Sequence, residues 1–243
     1  ALAYRRMGEI QHKLGQPGAA EETFRQAVDR LQALADEFPD ELKYRSQLAD
    51  AWHQLGVLLG DTGRYGDEEQ AHRRALALDQ TLAADSPENN DYRRNLGRGY
   101  WFLGQVLMWT APNRRAEAEA VFRSALAIQG DLAADRPAIH EYRHHLAQTY
   151  LRLGLTIGYL GRRDEERQAL GEAAKLLEHL VKQSASTPAY RNELANVYYW
   201  VALRQPAHDA QVSLQRAIAL QEKLIADYPA VTDYQYDWAR SQT

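Results

Sequence analysis

Residues 44–87 read YRSQLADAWHQLGVLLGDTGRYGDEEQAHRRALALDQTLAADSP, and this stretch decides the fold because it recurs along the chain. Aligned on its opening Tyr-Arg and its closing acid-x-Pro, equivalent tyrosines stand at Tyr44, Tyr92, Tyr142, Tyr190 and Tyr234. The intervals between them are 48, 50, 48 and 44 residues. A period of this length marks a solenoid, in which each unit buries its apolar face only against its neighbours. Such an array points to a binding surface and not to a chemistry.

The same pattern runs outward in both directions. Residues 1–39 form a truncated first unit with Tyr4, Met7 and Gly8, then Ala20, Phe24 and Ala27. Residues 40–87 carry Trp52, Leu55, Gly56 and Ala75; residues 88–137 carry Tyr100, Leu103, Gly104, Ala118, Phe122 and Ala125. Residues 138–185 repeat it with Tyr150, Leu153, Gly154, Leu170 and Ala173, and residues 186–229 with Tyr198, Val201, Ala202, Ala210, Leu214 and Ala217. A further helix pair starts at 230–243. Because Ala1 is not a methionine and the last unit stops part-way through its first helix, a piece of a longer, multidomain protein is expected.

A small residue at Gly8, Gly56, Gly104 or Gly154 lets a partner helix approach closely. Glycine costs about 1 kcal/mol relative to alanine inside a helix, so close contact must offset it. Gly15-Gln16-Pro17, Gly63-Arg64 and Gly161-Arg162 each read as a helix stop followed by a helix start. Ala111-Pro112-Asn113 lengthens the third turn. The expected helices are 1–14, 17–36, 40–61, 65–84, 89–109, 114–134, 139–159, 163–183, 188–203, 207–226 and 231–241, with no strands.

An aromatic, a Leu-Gly pair one turn later, then Ala, an aromatic and Ala on the second helix resemble the tetratricopeptide repeat (TPR) signature. The resemblance implies an all-α, right-handed superhelical solenoid of antiparallel helix pairs whose first helices line a concave face. It also implies a non-catalytic protein–protein interaction scaffold. The period exceeds the usual ~34 residues, with the extra length at the outer ends of both helices. Long-helix arrays of this Tyr-Arg-x-x-Leu-Ala kind resemble those attached to bacterial serine/threonine kinases, and kinesin light chain repeats are a related longer variant. The carboxylate clamp of chaperone-binding TPR domains does not carry over. Its places fall on Arg5, Glu9, Gln54, Arg98 and Phe102, where Glu9 repels a carboxylate and Phe102 has no donor.

Composition narrows the function classes. The 243 residues are 45% hydrophobic and 26% charged, enough for a buried core. A net charge of −4 gives no electrostatic footprint for nucleic acid or an anionic membrane. The absence of cysteine excludes disulfides, thiolate nucleophiles and Cys-ligated zinc, and fits a reducing, cytoplasmic location. No apolar run approaches the roughly 20 residues that span a bilayer. No cofactor is expected, and the partner is a protein or peptide, which another part of the same chain could supply.

One motif bears on catalysis. His140-Glu141-Tyr142-Arg143-His144 matches H-E-x-x-H, the arrangement of a zinc hydrolase. Tyr142 and Arg143 are ordinary repeat positions, no third ligand can be named, and His140 falls at a helix start, so two surface histidines and no metal are expected. A spacer or self-association module is the other alternative. Arg64, Arg114-Arg115 and Arg162-Arg163 follow the inter-helix turns, but acids follow each of them, which favours local pairing over an anion site.

The inferred concave face changes character along the chain. Arg5, Glu9, His12, His53 and Asp61 make its first part polar. Trp101, Met108, Trp109, Leu151, Leu155, Tyr159 and Tyr199 make the rest apolar, with Arg98, Gln105 and Asn196 as polar edges. Large aromatics with a polar rim are the usual anchors of an interface, so a peptide or helix is expected to dock there. Finally, an acid two residues before a Pro is followed eight residues on by an arginine. That spacing predicts Glu37–Arg45, Asp85–Arg93 and Asp135–Arg143 ion pairs across the inter-unit turns, with none at Gln183/Arg191 or Asp227/Gln235.

Overall fold

The computed structural model describes residues 2–184, 186–205 and 207–242. Its α-helices are α1 (Leu2–Lys13), α2 (Pro17–Glu37), α3 (Leu42–Asp61), α4 (Tyr65–Asp85), α5 (Asn90–Thr110), α6 (Arg115–Asp135), α7 (His140–Tyr159), α8 (Arg163–Gln183), α9 (Pro188–Ala202), α10 (Ala207–Asp227) and α11 (Thr232–Gln242). A 3-10 turn, Pro112–Arg114, leads into α6. Among the described residues there is no strand. Helix ends fall within two residues of those expected from the repeat.

Backbone chemistry sets the turns inside the pairs. Gly15, Gly63 and Gly161 have φ of +70°, +78° and +84°, which residues with a Cβ rarely adopt. At Gly63 the turn closes by Gly63 N–H donating to the Gly60 carbonyl at 2.9 Å and Arg64 N–H to Leu59 at 2.9 Å. Orphan carbonyls at the end of α3 are thereby satisfied, and the chain reverses into α4.

The chain divides into two compact units, Ala1–Ile128 and Gln129–Thr243. In the first, successive helices α1 to α5 pack on one another, and α1 also touches α3, as α3 does α5. In the second, α7 to α11 do the same, with further contacts between α7 and α9 and between α9 and α11. The small helix positions act as sockets. A Cβ at Gly104 would meet the Phe122 ring at 2.7 Å, and one at Gly8 would meet Phe24 at 2.8 Å. Phe24 and Phe122 are fully buried, so these aromatics fill the core of their pairs. At Gly154 the partner is Leu170, with the corresponding approach at 3.2 Å.

Two of the arginines predicted to bridge units, Arg45 and Arg143, pair elsewhere among the described residues. Arg45 reaches Asp85 at 2.9 Å, the far end of its own helix pair, and not Glu37. Arg143 donates to Gln183 at 2.9 Å in the same way. Arg191, expected to lack a bridge, holds Asp227 at 2.6 Å. The reason is topological: an antiparallel hairpin places the start of its first helix beside the end of its second. Arg45 and Arg191 thereby neutralise an acid at a helix C-terminus, where it alone opposes the macrodipole, while Arg143 bonds the neutral amide of Gln183.

Ion pairs between successive second helices come from the turn arginines and from Arg73 on α4, which reaches Glu117 on α6 at 2.7 Å. Arg64 binds Asp67 at 2.5 Å and reaches back to Glu21 on α2 at 2.7 Å. Arg114 binds Glu117 at 2.8 Å and reaches Glu69 on α4 at 2.9 Å. In the second unit Arg204 reaches Glu166 on α8 at 2.7 Å. Among the described residues no helix is long and apolar enough to cross a membrane.

Candidate functional site

A groove of about 820 Å³ opens in the first compact unit. Its walls come from Val57, Gly60 and Asp61 on α3, Tyr65 and Glu68 at the start of α4, and Trp101, Phe102, Gln105, Val106, Trp109 and Thr110 on α5. Helical spacing explains the α5 wall, since positions 101, 105 and 109 share one face. Trp109 and Tyr65 are each about half exposed, at 51% and 52%. Trp101 stands edge-on to Phe102, with centroids 5.3 Å apart. Its indole Nε1 is buried and has no hydrogen-bond partner among the described residues.

Glu68 and Asp61 are the acidic residues lining this groove. The repeat position of Glu68 is held by Ala20 in the first unit and Ala118 in the third, while Glu166 holds it in the fourth. The matching first-helix positions, in the same order along the chain, are held by His12, Gly60, Met108 and Gly158. The glutamates therefore lie over glycines, and a Cβ at Gly60 would meet the Glu68 carboxyl at 2.6 Å. Burial, together with the nearby Asp61 charge, pushes the Glu68 carboxyl up to about 7. Asp61 itself pairs with His12 at 3.0 Å.

Behind Glu68 lies a buried polar chain. The place filled by Phe24 and Phe122 is taken here by His72, and a Cβ at Gly56 would meet its ring at 2.6 Å. His72 Nε2 is 3.8 Å from Glu68, and His72 Nδ1 is 3.1 Å from His53 Nδ1. His53 Nε2 lies 3.1 Å from Asp79 Oδ2. Phe102 stacks on His72 at 4.9 Å and covers His53 at 5.1 Å. All of His53, His72 and Asp79 are buried.

Burial holds His53 and His72 neutral, both down at about 3; the Arg98 charge adds to the effect on His53, and His53 adds to that on His72. Burial raises Asp79 to about 7 against the pull of Arg98. The bonds then fix one another. When His53 Nε2–H donates to Asp79, His53 Nδ1 accepts from His72 Nδ1–H, and His72 Nε2 is left as an acceptor toward Glu68. His72 Nε2 stands 3.8 Å from Glu68, beyond hydrogen-bonding distance, so the bonded chain runs from Asp79 through His53 and ends at His72.

The expected site residues separate into three groups. Trp101, Gln105 and Trp109 line the groove. Arg98 lies nearby, donating to Asp50 at 2.5 Å, while Arg5 approaches Asp50 from the other side at 3.4 Å. Met108, Leu151 and Leu155 are buried, at 0%, 5% and 0% exposure, and offer no contact surface. The physical reason is that first helices also pack on one another. In the second unit Tyr159 is 37% exposed. Asn196 there accepts from Arg240 at 3.2 Å, and Arg240 lies over the Tyr199 ring at 4.6 Å. His53, expected on the polar solvent face, is buried instead.

The H-E-x-x-H histidines do not act together. His140 Nδ1 is 3.0 Å from Ser184 Oγ, and His144 Nε2 is 2.8 Å from Glu193. Among the described residues no three His, Asp or Glu side chains converge as a metal site. Sequence reasoning missed Tyr65, Glu68 and His72, because it drew the surface from first helices alone. The signal was present: Glu68 and His72 break the Ala and aromatic positions of the repeat.

Comparison with known proteins agrees with this architecture. A tetratricopeptide repeat model matches residues 1–30. The fold is similar to TTC0263, a thermophilic TPR protein of Thermus thermophilus, at 21% identity and TM-score 0.54, covering 99% of this chain and 98% of that one. It is similar to the apo form of RapI at 14% identity and TM-score 0.67, over 91% of this chain and 70% of that one. A putative kinesin light chain of Podosopora anserina, with nearly identical TPR-like repeats, aligns at 22% identity and TM-score 0.50, over 91% and 94%. No curated protein matches the sequence. The fold is that of a tetratricopeptide repeat array.

Proposed function

We propose that this chain is a non-catalytic protein-interaction array within a larger multidomain protein, and that the groove between α3, α4 and α5 receives a peptide or helix from its partner. The observation that carries this reading is the half-exposed Trp109, standing with Tyr65 over a groove that Trp101 and Phe102 also line. Large aromatics in a concave, partly apolar cleft are favourable anchors, because they bury much area at little conformational cost. The repeat units 1–39, 40–87, 88–137, 138–185 and 186–229 supply the frame.

Selection of displayed random peptides on the whole chain tests this. Peptides are expected that bind the wild type and lose at least about tenfold in affinity, roughly 1.4 kcal/mol, on Trp109→Ala. Failure to select any peptide, or binding indifferent to that substitution, would overturn the reading.

A further inference from the structure

The two glutamates that lie over glycines have unequal surroundings. In the second unit Glu166 is fully buried and holds Arg163 at 2.7 Å and Arg204 at 2.7 Å. The Arg204 guanidinium also lies over the Trp200 ring, 5.5 Å from its centroid. A planar cation is thus held between an aromatic face and a carboxylate, an arrangement that suits arginine better than lysine.

In the first unit the carboxylate and the aromatic recur, but the cation does not. Counted from Tyr92 and Tyr190, Phe102 corresponds to Trp200 and Val106 to Arg204. Phe102 and Val106 line the groove beside Glu68. No arginine, lysine or hydroxyl reaches Glu68 among the described residues; His72 at 3.8 Å is its polar neighbour. Asp61 adds a second negative charge to the same wall. Burial has already raised the affinity of Glu68 for a proton, and an arriving cation would hold it ionised instead.

We infer that the groove over Glu68 is a receptor for an arginine side chain of the bound peptide, whose guanidinium takes the place in the first unit that Arg204 takes in the second. Residues flanking that arginine lie along Trp101, Trp109 and Tyr65. This rests on the protein-interaction reading above and adds to it the chemistry of the partner.

The test uses the whole chain and three small probes: N-acetyl-arginine amide, N-acetyl-lysine amide, and N-acetyl-citrulline amide, which has the arginine shape without its charge. Binding is followed by the indole N–H resonances of Trp101 and Trp109. The arginine probe is expected to shift both in a saturable way, with the citrulline probe at least tenfold weaker and the lysine probe intermediate. Glu68→Gln is expected to weaken the arginine probe at least tenfold and to erase its advantage over citrulline. Equal titrations by arginine and citrulline, a preference for lysine, no response to any probe, or indifference to E68Q would each overturn the inference. Selected peptides that need Trp109 but contain no essential arginine would overturn it too, while leaving the protein-interaction reading in place.

Discussion

Two sockets in the first compact unit have the same backbone geometry and opposite chemistry. At Gly104 the incoming side chain is Phe122, which is apolar and fully buried. At Gly56 it is His72, which is also buried but carries two nitrogens that need partners. A ring closes the first socket by itself. The second closes because His53 and Asp79 continue a hydrogen-bonded chain from it into the core, with Glu68 beyond it at the groove wall. The difference teaches that the helix-pair frame fixes the aperture, whereas the residue filling it decides between a sealed core and a connected site.

The largest effect should come from crowding the apolar socket. Gly104→Leu is expected to cost about 1–3 kcal/mol in urea unfolding, since Phe122 is confined in the core and cannot swing away. An unchanged midpoint would mean that the close approach does not constrain the pair. The polar socket is probed by pH. Asp79 in the folded chain titrates at about 7, above its ordinary 3.8, so folding favours its protonated form. Its contribution is complete below the ordinary value and is lost as pH rises through about 7. Asp79→Asn mimics the protonated acid, so the variant should gain stability relative to wild type between pH 5 and 8. A difference that is flat across this range would place the proton elsewhere. The smallest effect belongs at the rim. Arg45→Gln removes a partly exposed pair with Asp85 and should change stability by less than about 1 kcal/mol in thermal melts. A larger loss would show that this clasp contributes more than an exposed ion pair does.

The helices and turns were legible in the sequence because they rest on local signals: spacing of the Tyr, Leu-Gly and Ala positions, and glycines at the left-handed turns. Side-chain facing was harder to read. Met108, Leu151 and Leu155 lie on first helices, but those helices contact one another, so part of the presumed outer face becomes a seam. Arg45 and Arg191 show the same limit for charge. Eight residues of sequence separation suggested a contact across one turn, while the fold brings together residues 40 and 36 apart. The groove was legible through Trp101 and Trp109 but not through Glu68, which required comparison of second-helix positions across units.

The alternation of Ala20, Glu68, Ala118 and Glu166, with His12, Gly60, Met108 and Gly158 at the matching first-helix positions, bears on how such an array could grow. The helix pair is the structural period, but side-chain complementarity repeats only every second pair. Inserting or deleting a single pair would set two glutamate-bearing pairs, or two alanine-bearing pairs, side by side. Each acid would keep its own glycine in either case, because Gly60 and Glu68 lie within one pair and Gly158 and Glu166 within another. Only additions in twos preserve the alternation between neighbouring pairs. The natural module for duplication, and for engineering a longer chain, is therefore a tandem of two pairs.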